Sequence, residues 1–400
     1  MVVQRIGRIA ASTPNWRTAV SVSYEFDTVV MTSRDGTEQR EARRQTARVD
    51  LNFRSWFRPD AATRMLADIH KDQNEPFVLP VTWRTARIDV GCAIGESAIY
   101  LDGNAPFWAV PGTAVILFNG QAYEVSEIEA VDADEILLFD PVASEQVSGG
   151  TITFAYRARA QDTIDFVAET TDLLEATLKF DVVPGSDTQV YPQRSDVLFE
   201  GLPVFLEKPN WNGPPRIKIT EEREIVDAGF GVSAVGTPVA YSTMQNRLTF
   251  NPRTREATEL MIAHFLWAKG RRGSFFMPTW QRDLRIIGAG ALATESAFTV
   301  EGADVHAGYA GSPVYNMVMV TFPDGQYQVN RIASMALDTG NTVVTFVDPW
   351  EQDLPATCRV SWCPLVRSTV DRLEVNWLTT DVAEIEMTIQ TLVNPAPVEE

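Results

Sequence analysis

The chain has 400 residues, 45% hydrophobic and 22% charged, which is enough for two or three domains with buried cores. Its 34 basic residues stand against 53 acidic ones, a net charge of −19, which argues against a surface built to hold nucleic-acid phosphates. Three cysteines, Cys92, Cys358 and Cys363, make no disulfide framework, and no stretch approaches the ~18 consecutive apolar residues of a membrane span. The opening MVVQRIGRIAASTPNW lacks the apolar centre expected of a signal peptide.

In chain order, Val20, Val22, Tyr24, Phe26, Thr28 and Val30 alternate, and so do Val49, Leu51, Phe53, Ser55 and Phe57. A period of two places each set on one face of a strand. Ser33-Arg34-Asp35-Gly36 is turn chemistry, and residues 36–48 read as a projecting loop. Pro59 opens a helix with Ala62, Met65, Leu66 and Ile69 along one side. A short strand with Phe77 and Trp83 follows. Residues 87–158 then hold Val115–Phe118, Tyr123–Val125 and Ile136–Phe139, short strands that predict a small barrel or sandwich. A long strand from Ile164 to Val183 returns to the first sheet.

The second half repeats this order. Pro14-Asn15-Trp16 recurs as Pro209-Asn210-Trp211, Phe77-x-x-Pro80 as Phe275-x-x-Pro278, Asp140-Pro141 as Asp348-Pro349, and Thr170-Thr171-Asp172 as Thr379-Thr380-Asp381. Pro252 is expected to begin the second helix, with Ala257, Leu260, Met261, His264, Phe265 and Ala268 as its stripe and Gly270 and Gly273 at its end. These matches predict a mainly β (α+β) chain of two tandem modules, each a sheet packed on one helix with a small β domain inserted. The expected bounds are 1–86 plus 159–184 and 207–285 plus 366–396 for the modules, 87–158 and 286–365 for the insertions, and 185–206 for a Pro-rich linker.

No catalytic, nucleotide-binding or metal-binding motif is present, so the sequence predicts no enzyme, no cofactor and no metal site. His264 sits on an apolar stripe and reads as a core residue. Arg34, Arg40, Arg43, Arg44 and Arg48 crowd one segment with Glu38 and Glu41 among them. Arginine forks pair bidentately with carboxylates, so Arg34, Glu38, Arg40, Arg43, Arg44 and Arg48 are candidate subunit contacts.

The segment SRDGTEQREARRQTARVDLNF, then a helix, then PFVLPVTW, resembles the tube-forming module of siphophage distal tail proteins and their relatives in gene transfer agents. The second copy is similar to that module in its helix, GRRG and aromatic segment, and departs from it at the E-Q-R loop. The resemblance implies a structural virion protein of the tail tip, assembled in the host cytoplasm. It would form a ring that continues the tail tube, joins the tube protein to hub and fibre proteins, and passes DNA through an acidic or neutral lumen. Two modules per chain make a trimer with pseudo-sixfold symmetry the expected ring, with a hexamer as its rival. A receptor- or carbohydrate-binding tail module is the alternative, with Phe107, Trp108 or Trp350 stacking on sugar.

Overall fold

A computed structural model describes residues 8–9, 13–33, 36–71, 76–119, 123–161, 164–185, 191–192, 197–211, 216–221, 224–227, 229, 231, 233–236 and 241–394. The first half carries β1 (Arg8–Ile9), β2 (Val20–Glu25), β3 (Thr28–Thr32), β4 (Glu38–Ala42), β5 (Arg48–Phe57), α1 (Pro59–Lys71), β6 (Phe77–Val90), β7 (Ala98–Leu101), β8 (Ala114–Phe118), β9 (Tyr123–Val131), β10 (Glu135–Leu138), β11 (Thr151–Ala160), β12 (Asp165–Thr170) and β13 (Leu173–Val182). A short hairpin of β14 (Leu198–Phe199) and β15 (Leu202–Pro203) leads into the second half. There follow β16 (Arg216–Thr220), β17 (Glu224–Val226), β18 (Ala234–Gly236), β19 (Thr243–Phe250), α2 (Arg255–Ala268), β20 (Phe275–Phe276), β21 (Ala297–Val300), α3 (Asp304–Tyr309), β22 (Met317–Thr321), β23 (Tyr327–Asp338), β24 (Asn341–Phe346), β25 (Arg359–Trp362), β26 (Leu365–Ser368), β27 (Arg372–Trp377) and β28 (Ala383–Thr391). The chain is mainly β.

Strand pairing follows one scheme twice. In the first half β12, β13, β5 and β2 lie side by side, all antiparallel. In the second half β27, β28, β19 and β16 do the same. The hairpins β3–β4 and β17–β18 hang from β2 and β16. The first insertion closes on itself through β6–β7–β10–β9–β8–β11–β6, a small barrel. The second runs β21–β24–β23–β22–β25, and the bridges Ile286–Val300 and Leu284–Val360 tie it to the segment after β20. Closure removes the edges that short strands would otherwise expose.

Local chemistry explains the repeated landmarks. Both Thr-Thr-Asp runs are turns in which the Asp N–H donates to the Oγ1 of the first Thr, at 3.3 Å for Asp172 and 3.2 Å for Asp381. The long strands expected at 164–183 and 373–393 are therefore hairpins, β12–β13 and β27–β28. The stretch 36–48 is not a free loop, because β4 pairs with β3 from Thr28–Ala42 to Thr32–Glu38. The second helix begins at Arg255 rather than Pro252, since the Thr254 hydroxyl accepts from the Ala257 N–H at 3.2 Å and caps it there. Gly273 closes that end, where a Cβ would stand 2.7 Å from the Ala268 backbone.

In α1, Ala62 and Met65 are buried on their own sheet while Leu66 is exposed; the side chain of Ile69 lies outside the described residues. The stretch expected to link the halves is built into the fold. Val204 bridges Phe276 in parallel, Val204 and Phe205 are buried, and Glu200 forms a bidentate pair with Arg331. His264 is buried with its ring 4.5 Å from Phe275 and 4.8 Å from Phe205. Cys92, Cys358 and Cys363 are free and buried, and burial pushes the Cys363 thiol far above its ordinary range. No helix among the described residues is long and apolar enough to cross a membrane.

Candidate functional site: the junction between the halves

The two four-stranded sheets join into one. Strand β2 of the first half pairs antiparallel with β27 of the second, from Val20–Trp377 to Glu25–Arg372. The result is a continuous eight-stranded layer, β12–β13–β5–β2–β27–β28–β19–β16. Its two faces differ sharply. Leu51, Phe53, Phe180, Val22, Val375 and Ile385 point into a single core that spans both halves. The opposite face is polar, with Asp50, Asn52, Lys179, Asp181, Glu374 and Glu386 alternating against them. On it Asp50 stands directly across from Asp181. Burial, and then the Asp181 charge, raise the Asp50 carboxyl above its ordinary value.

Two further contacts lock the junction on the core side. Helix α2 packs between the halves: His264 lies against Phe275 and Phe205 of its own half, while Phe265 meets Phe26 of the first. Its Glu259 is fully buried and accepts from Arg84 of β6 at 2.8 Å and 2.7 Å. Arg84 also stacks over Phe107, Phe154 and Tyr191, 4.9 to 5.3 Å from their centroids. Desolvation works against the charge on Arg84, but the Glu259 carboxylate outweighs it and holds the guanidinium pKa well above its ordinary value. Burial pushes the Tyr24, Tyr156 and Tyr191 hydroxyls beside it upward. The Arg255 guanidinium donates to the Trp83 carbonyl at 2.9 Å, and Trp83 stacks on Trp377 at 5.0 Å. Such a stack adds ~0.5–1.5 kcal/mol beyond area burial.

The second contact is the hairpin β3–β4, which folds over the other half. Glu38 accepts from Arg367 of β26 at 2.7 Å and 2.6 Å, with both side chains nearly covered. The Thr28 N–H donates to the Asp371 carboxylate at 2.8 Å, and the Lys269 ammonium reaches Gln45 at 2.9 Å.

The charged segment singled out by the sequence thus contributes one strong contact, through its glutamate. Arg40 stands 3.8 Å from Glu38; burial draws its pKa down, opposed by Glu38 and helped by Arg367. Arg44 is 3.7 Å from Glu25, Arg43 is exposed with its N–H on the Asp27 carbonyl, and Arg48 is an exposed β5 residue opposite Glu25. Arg34 lies outside the described residues. Sequence reading missed Arg84, Glu259 and Arg367, because partners 175 and 329 residues apart leave no local spacing to find. Of the aromatic candidates for a sugar platform, Trp108 and Trp350 are buried at 2% and 1% exposure, and Phe107 is half-buried with its ring centroid 5.3 Å from the Arg84 guanidinium.

No family model matches the chain, and no curated protein matches it.

Proposed function

We propose that the protein is a structural ring subunit of a phage tail tip, in which three copies close head to tail around a DNA-conducting bore. The reading rests on one observation: the eight-stranded layer ends in two edges that are counterparts of its own middle. Edge strand β16 occupies the place that β2 occupies in the first half, and edge strand β12 the place of β27. Inside the chain β2 and β27 are paired, whereas β16 and β12 have no second partner strand among the described residues. A surface whose two ends are complementary associates head to tail, and such contacts close into a ring when the rotation allows.

Carrying the β2–β27 register over to β16 and β12 sets Ile219 beside Ala168, and brings Lys218 to the irregular step of β12 that holds Glu169 of the next copy. Opposite charges on cross-strand neighbours favour this pairing over its competitors. Three chains bring about 24 strands; at ~4.8 Å per strand and ~40° tilt they close on a circumference of about 150 Å. A bore of that size admits a DNA duplex. The polar face of the layer would line it, and its acidic residues would keep the phosphates from sticking. Ring closure would also cover the two long edges.

Native mass spectrometry and electron microscopy of the full chain test this. A closed ring of three chains is expected. Six chains per ring would replace the trimer by a hexamer, and a monomer at all concentrations would end the ring reading.

A further inference from the structure

Helix α2 has a seat, and the second half contains the same seat empty. On the first half Met261, Ile262 and Phe265 of α2 share one core with Val20, Val22, Leu51 and Leu79, which are all buried at 2% exposure or less. By strand register their counterparts are Ile217, Ile219, Met244 and Met277: Val22 pairs with Leu51 as Ile219 pairs with Met244. In the second half those residues line an open groove of about 410 Å³, and Ile217 and Ile219 are 48% and 68% exposed. No described residue of this chain fills it. The counterpart of α2 is α1, which buries Ala62 and Met65 on its own sheet and leaves Leu66 exposed. Leu66 follows Pro59 by the same interval that separates Glu259 from Pro252, so it holds the place of the buried glutamate.

We infer that this groove is the seat of α1 from a second copy of the chain, with Leu66 entering where Glu259 enters the inner seat. The chemistry of the two seats has changed in step. The inner seat offers Arg84 to a carboxylate. In the outer seat the matching arginine, Arg282, is exposed and turned to the Thr357 carbonyl at 3.1 Å. What faces the groove instead is an aromatic cluster, Tyr309, Tyr315 and Trp362, with ring centroids 5.0 to 5.5 Å apart. An apolar leucine on the helix meets an apolar wall, as a glutamate meets an arginine at the inner junction. The groove also opens along β16, so helix seating and strand addition engage the same neighbour at one continuous interface. The inference rests on the head-to-tail ring and adds its second contact surface.

Cysteine pairs in the full chain separate the two ideas. Because the native cysteines are buried, Leu66→Cys with Gln281→Cys should be joined between chains by a short bismaleimide, giving covalent dimers and trimers on denaturing gels. Lys218→Cys with Glu169→Cys reports the strand junction independently. Cross-linking at 218/169 with none at 66/281 would overturn the helix seat and leave the ring standing. No cross-link at either pair, with monomers by mass photometry, would overturn both. In addition, Leu66→Glu should weaken assembly at least tenfold without lowering the melting temperature of the chain; unchanged assembly would also overturn the seat.

Discussion

A buried ion pair holds the two halves at one point. Glu259 and Arg84 are both essentially out of water, and Arg84 Nε and Nη2 donate one hydrogen bond each to the two carboxylate oxygens. Removing one partner strands a charge in the core, which costs ~3–5 kcal/mol. Glu259→Ala should therefore lower unfolding stability by about that much in urea titrations. Arg84→Met with Glu259→Leu should recover most of the loss, because an apolar pair of similar volume needs no counter-charge. The acidic pair on the polar face behaves in the opposite sense. The Asp50 carboxyl is raised, so the folded chain holds that proton more tightly than the unfolded chain does. Stability then falls as pH rises from the ordinary Asp value of ~3.9 to the raised one. Asp50→Asn should melt higher at pH 7, and its melting temperature should vary less across that interval than that of the parent chain.

At the scale of elements, the β3–β4 hairpin is the clamp. Its sheet partners are local, but its anchorage is Glu38 on Arg367 in the other half. Glu38→Ala should leave the hairpin register intact and release it from the second half. Amide exchange across Thr28–Thr32 should rise at least tenfold while exchange in β13 stays slow; equal protection in both would show that the ion pair is dispensable. The same element shows what the sequence discloses and what it hides. Strands β2 and β5 were legible because one face of each is apolar and the other polar. Strand β4 was not, since Glu38, Gln39, Arg40 and Glu41 show no apolar alternation and the burial of Glu38 depends on a residue 329 positions away. Helix α2 was legible as a helix, yet its apolar stripe named Leu260, which is 39% exposed, and omitted Glu259, which is buried. A helix clamped between two halves is covered on two sides, and a single-stripe pattern describes only one of them.

At the scale of the molecule, the layer of eight strands separates an apolar core from a polar face. On that face of β13, β5, β2, β27, β28 and β19 acidic residues outnumber basic ones: Glu25, Asp50, Glu175, Asp181, Glu374, Glu384 and Glu386 against Arg48, Arg54, Lys179, Arg247 and Arg372. That the chain is mainly β was readable from its alternating strands, but which face is polar was not, because either side of an alternating strand can carry charge until the core is known. If this face lines a bore, its charge sets whether a duplex slides or sticks. The double variant Glu374→Lys with Glu384→Lys reverses charge at exposed positions on that face. Assembled rings of the parent chain should not retain duplex DNA at physiological salt. Rings of the variant should retain it, with an affinity that falls with salt by a slope of about −0.9 for each phosphate neutralised. Retention by the variant only as a monomer would place the face on the outside, and a variant ring that still ignores DNA would remove the face from the bore altogether.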